Sequence, residues 1–525
     1  MDYFDQRDGL AEIVDSIDDS SPIRDFYTDK TILITGASGF FGKVLLEKLL
    51  RTCGKVKKVY LLMRPKRGKT SVERMNEQFD DLLFEKMKAK TPDYLSKVEL
   101  VEGECAKSRM GIRDSDWEKL LGEVEIIFHA AAALRMDEHL RDAYNINVAA
   151  TKYLLEMARK MPNLKAMIHF STAYSHAHRS HIGEKFYPVS FSDEEIEHLL
   201  GELDDRQIGS ITPQVLGRWL NTYGFTKAVA ESVVQKYVEE YSLPLAIARP
   251  SIVVGTYKDP VRAWINNVYG ATGAIAGAAL GILHTFYCDK HKKADLIPVD
   301  YVINASIAAA WEIANDRNDR KTFPVYNMVS THYHKNLTWD NFMKLNEVAN
   351  IYSDTQTVAA IWPYTFRTES RKLVYYIQNI QMHVIPAILF DTYRRLTGKP
   401  PMLLRAYRKI TVFVTALYAY SEREWDYSSD NVADLYNKLS PMDKRLFLFD
   451  IKQVDWAEFF YWYIRGLRLY MVKEDFSNLE FARKRMARLR IAHKALLASI
   501  YAFRACVAYY TFRAVSNVIK SRYNL

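Results

Sequence analysis

Cysteine is scarce and scattered in this chain. Cys53, Cys105, Cys288 and Cys506 form no C-x-x-C pair. That argues against a disulfide framework and a zinc site and suits a reducing intracellular compartment. Acids are missing from one end: residues 483–525 hold ten lysines and arginines and no aspartate or glutamate. The whole chain has 72 Lys+Arg against 63 Asp+Glu, so without those ten the body carries 62 against 63 and is close to neutral. The net charge of +9 therefore sits in the tail. An enzyme that binds nucleic acid more often carries basic stripes across its body, so no nucleic-acid partner is expected. Long apolar runs are also missing. Residues 495–512 come nearest, but Arg504 interrupts them, and residues 270–283 are short and small-sided. The latter read as a buried helix or the wall of a groove. Up to Ser21 there are seven acids and one arginine, the reverse of a secretory or mitochondrial leader. There is no internal repeat and no low-complexity tract.

What is present starts with a glycine turn. At 525 residues, 49% apolar and 26% charged, the chain is globular and long enough for two domains. The β-branched run Thr31-Ile32-Leu33-Ile34 leads into Thr35-Gly36-Ala37-Ser38-Gly39-Phe40-Phe41-Gly42, and residues 43–50 follow with apolar side chains at helical spacing. Strand, glycine turn, helix is the context in which such a run binds a dinucleotide, with the helix N-terminus facing the phosphates. Further short apolar strands are predicted at 58–64, 98–102, 124–129, 166–171 and 245–250, separated by helical stretches. The fold class expected is α/β, a Rossmann-type doubly wound parallel sheet with ligands outside the carboxyl ends of the strands. The pattern weakens after about Tyr326, and 360–470 reads as long helices dense in aromatic residues. The expected organisation is an N-terminal leader over 1–29, a dinucleotide-binding catalytic domain over 30–330, and a connector over 331–359. A smaller, mainly α-helical domain over 360–470 and a basic, apolar C-terminal tail over 471–525 complete it.

Arg64 closes the second strand and is followed by Pro65-Lys66-Arg67. An acid at this point would bind the ribose 2′-OH of NAD, whereas positive charge suits the 2′-phosphate of NADP(H). Tyr223 and Lys227 stand at i and i+4, one face of a helix. A phenol titrates near pH 10, and a neighbouring ammonium would bring it down into catalytic range. Ser171 and Thr172 follow the fifth strand, where a hydroxyl would hydrogen-bond a reacting carbonyl beside Tyr223. His176, His178 and His181 lack a Cys or carboxylate spaced to complete a metal shell; a solvated loop and no metal are expected.

Together these residues resemble the extended short-chain dehydrogenase/reductases, and within them the alcohol-forming fatty acyl-CoA reductases. The resemblance runs through the glycine turn, Tyr60-Leu61-Leu62-Met63-Arg64-Pro65-Lys66-Arg67-Gly68, Phe128-His129-Ala130-Ala131, Ser171-Thr172-Ala173-Tyr174 and Tyr223 to Lys227. It continues in Arg249-Pro250-Ser251-Ile252-Val253, in Ala294-Asp295-Leu296-Ile297-Pro298-Val299-Asp300 and, in the helical half, in Ile385-Pro386-Ala387-Ile388-Leu389-Phe390-Asp391 and Arg395-Leu396-Thr397-Gly398-Lys399-Pro400. Ser38 and Met136 are mild departures from the family pattern. The resemblance implies NADPH as cofactor, a long-chain fatty acyl-CoA as substrate, and a fatty alcohol formed through a transient aldehyde with release of CoA. It implies Tyr223, Lys227 and Thr172 or Ser171 as the catalytic set, with Lys227 also holding the nicotinamide ribose. Cofactor contacts are implied from Gly36, Ser38, Gly39, Phe40, Gly42, Arg64, Lys66, Ala130, Lys227, Pro250 and Ile252. The competing readings are a reductase or epimerase acting on a sugar nucleotide or steroid, an acyl-CoA reductase that stops at the aldehyde, and a tethered scaffold without catalysis.

In the tail, Arg483, Arg490, Lys494 and Arg504 fall within one sector of a helical wheel. Spanning a membrane would place Arg504 centrally at about 2.5–3.5 kcal/mol. A basic amphipathic helix lying on anionic lipid is expected ahead of a span, with a helix packed on the second domain as the third reading; the enzyme would then attach through the C-terminus alone, with the body in the cytosol. The chain stops at Tyr523-Asn524-Leu525, not a Ser-Lys-Leu signal. The resemblance implies the peroxisomal membrane ahead of the endoplasmic reticulum.

Overall fold

The computed structural model describes residues 20–315, 323–351 and 355–523. Most of the expected leader lies outside the described residues. Seven strands form the central sheet: β1 Thr31–Thr35, β2 Lys58–Met63, β3 Val98–Glu102, β4 Ile126–His129, β5 Ala166–Phe170, β6 Leu245–Pro250 and β7 Val325–Met328. They lie in the order β3-β2-β1-β4-β5-β6-β7, every pairing parallel. All five residues of β1 and of β5 are buried, as expected of strands covered on both faces. The first six strands coincide with those the sequence predicts. The seventh, Val-Tyr-Asn-Met, carries a central asparagine that breaks the apolar run. Its amide N–H groups donate to the carbonyls of Ile182 and Ser428 at 3.1 and 2.9 Å, so the donors are satisfied inside the protein.

Helices α1 Phe40–Thr52 and α4 Val299–Asn315 cover one face, and α2 Thr222–Tyr241 with helix Ala150–Lys160 covers the other. Helix α3 Gly270–Ala279 lies between α2 and α4 in the chain. Beyond the sheet come α5 Trp339–Ile351, α6 Lys372–Asn379, α7 Ile385–Leu396, α8 Leu403–Ser421, α9 Trp456–Gly466 and α10 Leu479–Tyr523. The second half is not a detached lobe. One buried cluster joins Trp264 and Ile303 to Leu435, Phe447, Phe459 and Tyr463. The Asn304 amide donates to the Leu448 carbonyl at 2.8 Å, and Ser21 donates to Asp443. Within the segment read as a connector, α5 packs on α9, with Phe342 edge-on to Phe460 at 5.2 Å. The α10 helix is tied near its start, where Ala482 and Met486 are buried and the Trp362 indole donates to His493 at 3.1 Å. Past that contact its described side chains are exposed. By length and composition the segments Lys372–Leu396 and Leu479–Asn517 could each cross a membrane.

Candidate active site

Strand β1 delivers the chain into a turn that only glycine fits. Gly36 has φ +73°, and a Cβ there would stand 2.7 Å from the Ala131 nitrogen. A Cβ on Gly42 would stand 2.3 Å from the Gly36 oxygen, so any side chain would push α1 off the turn. Gly39 is the N-cap of α1 and supplies no side chain to cap it, leaving first-turn N–H groups for an anion. Behind the turn, His129 bonds Thr35 Oγ1 at 2.7 Å and Thr151 Oγ1 at 3.0 Å. Burial, then the charge of Lys227, holds His129 down to about 3, so it stays neutral. The turn opens on a cavity of about 410 Å³ lined by Gly36, Ser38, Gly39, Phe40, Gly42, Arg64, Lys66, Ala130, Lys227 and Pro250.

At the ribose end of this cavity the basic charge exceeds what the sequence points to. Arg64 pairs with Glu104, and its carbonyl accepts from Arg74. Arg74 also donates to Ser38 Oγ at 2.8 Å. Lys66 is pushed below its ordinary range by burial and then by Arg64, Arg74 and Arg67. Arg74 is not singled out by the sequence, because it lies ten residues past Arg64 on helix Ser71–Phe79, which folds back over the turn. The fit to a nicotinamide dinucleotide rests on the glycine cradle and the uncapped helix.

Tyr223 and Lys227 share the first turns of α2, whose N-cap Asn221 accepts from Gly224 N at 2.9 Å. Tyr223 and Thr172 line the same cavity. The expectation that Lys227 lowers the Tyr223 pKa is not met. Burial raises it, Tyr420 adds to the rise, and the Thr172 hydrogen bond opposes it. The ammonium of Lys227 is instead turned onto the Phe170 carbonyl at 2.7 Å. Burial brings Lys227 down to about 8 against the pull of Glu231.

The two candidate hydroxyls separate. Ser171 donates to Glu231 in a buried cluster with Arg249 and His176, so its proton is committed to the scaffold. Thr172 faces Tyr223. His176 is fully buried on Glu231 at 3.2 Å, not in the solvated loop expected, because strand β6 carries Arg249 beneath it to balance the charge.

A second, larger cavity of about 760 Å³ opens beyond Thr172 and Tyr223, which line both spaces. Its walls are mostly apolar, with Ala271 and Ala274 of α3, Trp339, Phe342 and Met343 of α5, and Phe413 and Leu417 of α8, and they also carry Arg135, Asp137, Arg408 and Lys409. Ile252, expected at the cofactor, lines this cavity, and its neighbours Ser251 and Val253 line both. The α8 helix also brings Tyr420 to the junction. Its hydroxyl accepts from the Asn221 amide at 2.7 Å, and its ring meets Tyr174 edge-on at 4.9 Å. Nothing in the sequence near α2 pointed to Tyr420. A proton-carrying tyrosine between a dinucleotide-shaped cavity and an apolar one can protonate or hydrogen-bond a carbonyl oxygen on a greasy substrate.

Comparison with known proteins agrees with this arrangement. The NAD-binding model of the male sterility protein family matches residues 34–306, and that family's Sterile model matches residues 382–474. Fatty acyl-CoA reductase wat of Drosophila melanogaster is 38% identical over 95% of this chain and 95% of its own. Fatty acyl-CoA reductase 1 of Homo sapiens is 37% identical over 89% of this chain and 90% of its own. Among solved structures, the reductase domain of a nonribosomal peptide synthetase from Mycobacterium tuberculosis superposes with TM-score 0.57 at 19% identity, covering 89% of this chain and 97% of that one. The terminal reductase domain of the myxalamid pathway gives 0.53 at 18% identity, over 84% and 90%. Those two speak for the fold, a reductase-type Rossmann sheet with a helical second half. With near-complete coverage of its relatives and both family models matched in order, the chain belongs to the fatty acyl-CoA reductases.

Proposed function

We propose that this protein reduces long-chain fatty acyl-CoA to fatty alcohol with NADPH, through a transient aldehyde and with release of CoA. The observation that carries this reading is the position of Tyr223 and Thr172, where the glycine-turn cavity meets the large apolar cavity. The apolar stretch of those walls, from Ala271 and Ala274 to Phe413 and Leu417, suits an acyl chain better than a sugar, and the charged Arg135, Asp137, Arg408 and Lys409 also line the cavity. The reduced nicotinamide, when bound, supplies hydride to the thioester carbonyl and then to the aldehyde. The residues do the rest. Thr172 and Tyr223 hydrogen-bond the oxygen as negative charge builds on it. Tyr223, kept protonated by its raised pKa, hands that oxygen its proton in the second reduction. Lys227 spends one N–H on Phe170 and has two left for ribose hydroxyls. Hexadecanoyl-CoA, a nucleotide sugar or buffer alone, offered to the purified protein with NADPH, tests the reading. Oxidation is expected with the first only, and none with any acyl-CoA in detergent or vesicles would remove it.

Preference for NADPH follows from Arg64, Lys66 and Arg74, a cluster short of counter-charge. A charge-assisted hydrogen bond to phosphate contributes about 1.5–3 kcal/mol. Arg64→Glu together with Arg74→Glu is expected to raise the KM for NADPH by about 10- to 100-fold and to leave that for NADH nearly unchanged. Equal losses for both cofactors would refute the 2′-phosphate assignment.

The pH dependence follows from Lys227. Its pKa near 8 means the ammonium is present below pH 8 and lost above it. So kcat/KM is expected to hold on the acid side and fall through an alkaline limb near 8. Lys227→Arg, which keeps its charge, should flatten that limb at reduced rate. A profile with its limb unmoved in the arginine variant would assign the titration elsewhere.

The tail is the proposed anchor to a membrane, the peroxisomal membrane by resemblance. Supporting this, α10 is exposed beyond His493, carries no acid past Glu480, and alternates basic and aromatic surface. Removing residues 495–525 is expected to release the enzyme from membranes washed at high salt while activity on detergent-dispersed substrate persists. Continued sedimentation under those conditions would contradict it.

A further inference from the structure

A second surface, far along the chain from the tail, has the composition of a lipid-facing one. The α6 and α7 helices are joined through a π-turn at Ile380–Val384, where Pro386 has no N–H to continue an α-helical ladder. The inner side of this bent helix is fixed to the body. Tyr375 stacks on Tyr287 at 5.1 Å, His383 accepts from the His284 N–H at 2.9 Å, and His383 stacks on Tyr407 of α8 at 4.8 Å. Among the described residues nothing covers its outer side. Leu373 is 72% exposed, Leu389 67%, Tyr393 64% and Leu396 82%. A contiguous apolar face of this kind marks a binding surface.

Charge identifies what covers it. Between residues 370 and 421 there are eight Lys and Arg and a single acid, Asp391. That acid is buried, its carboxylate accepting from the N–H groups of Met402, Leu403 and Leu404 at 2.9, 3.0 and 2.9 Å. The outer face is therefore apolar at its centre and basic at its rim through Lys372, Arg395, Lys399 and Arg405, while Arg371 is paired with Glu369. A protein partner would need matching acids around an apolar knob, whereas an anionic bilayer meets both features at once, hydrocarbon under the apolar face and phosphate under the rim. Val412 of α8 both lines the large apolar cavity and is 56% exposed, so the surface runs on into the mouth of that cavity.

We infer that α6, α7 and the start of α8 form an interfacial docking surface for anionic lipid, separate from the tail, which sets the large cavity's mouth against the bilayer. If the acyl-CoA reading also holds, the acyl chain enters and the alcohol leaves without crossing water.

The test uses the full chain with Cys105→Ser and Cys506→Ser and an environment-sensitive fluorophore at Leu389→Cys. A control carries it at Glu202→Cys, an exposed site on the sheet domain. Vesicles of phosphatidylcholine with about one-third phosphatidylserine are expected to shift the Leu389 label to the blue and shield it from iodide, and to leave the Glu202 label wet. A tail-only attachment would leave both labels wet and overturn the proposal. A blue-shifted Leu389 label without vesicles, growing with protein concentration, would show a second copy of the chain on this face and also overturn it. Lysines and arginines near a membrane are each worth about fivefold in binding. Arg395→Glu with Lys399→Glu should therefore raise the lipid needed for the Leu389 shift at least tenfold, and no change would count against the basic rim. No turnover is read, so failure here leaves the reductase reading standing.

Discussion

Phenylalanine at position 223 is expected to lower turnover of hexadecanoyl-CoA by roughly 10²- to 10⁴-fold, the range for removing a positioned proton donor. The substitution deletes one oxygen and leaves the ring, so α2 and the Asn221 cap are undisturbed. NADPH binding, read by fluorescence, should stay within a few-fold, because the cradle is built by Gly36, Gly39 and Gly42. Thr172→Val should cost about 10²-fold, as the second hydrogen bond to the developing oxyanion. Near-normal turnover of Tyr223→Phe would place the proton donor elsewhere, and Tyr420, beside it, would be the next residue to change.

The largest effect on stability is expected at Glu231. It is 2% exposed and receives Arg249 through two bonds of 2.9 and 2.5 Å, while Arg249 is 0% exposed. Glu231→Gln leaves a buried guanidinium without its counter-charge, which costs about 3–5 kcal/mol. The thermal midpoint should fall by many degrees. Replacing both residues, Glu231→Leu with Arg249→Met, should lose much less, since no charge is then stranded. The same carboxylate is what holds Lys227 up against burial. In Glu231→Gln enzyme that remains folded, the alkaline limb of activity should therefore move to lower pH. A limb that stays near 8 would separate Glu231 from the catalytic lysine.

Much of this was legible in the sequence because its cause is local. Parallel strands buried on both faces must be nearly continuous in apolar residues, so β1 to β6 stand out. Tyr223 and Lys227 lie one helical turn apart, and that spacing puts both on one cavity. What escaped depends on partners distant in the chain. β7 was hidden because Asn327 breaks its apolar run, and the carbonyls that take its amide N–H groups, of Ile182 and Ser428, lie far away in the chain. Arg74 reaches the cofactor cavity only because its helix folds back onto Ser38. Ser171 and Thr172 are indistinguishable as neighbours in sequence, and Arg249 on β6 decides which is free by holding Glu231 under Ser171. The direction of the Lys227 ammonium was set by a carbonyl on β5. Tyr420 and the exposed face of α6 and α7 required the helical half to be placed against the sheet.

The stoichiometry of cofactor and CoA tests the proposed reaction most directly. With hexadecanoyl-CoA as the sole substrate, NADPH oxidised is followed at the same time as free thiol released, and the lipid product is identified. Two NADPH per CoA with hexadecanol as product is the expected result. One NADPH per CoA with free hexadecanal would contradict alcohol formation, and CoA release without NADPH oxidation would contradict reduction altogether.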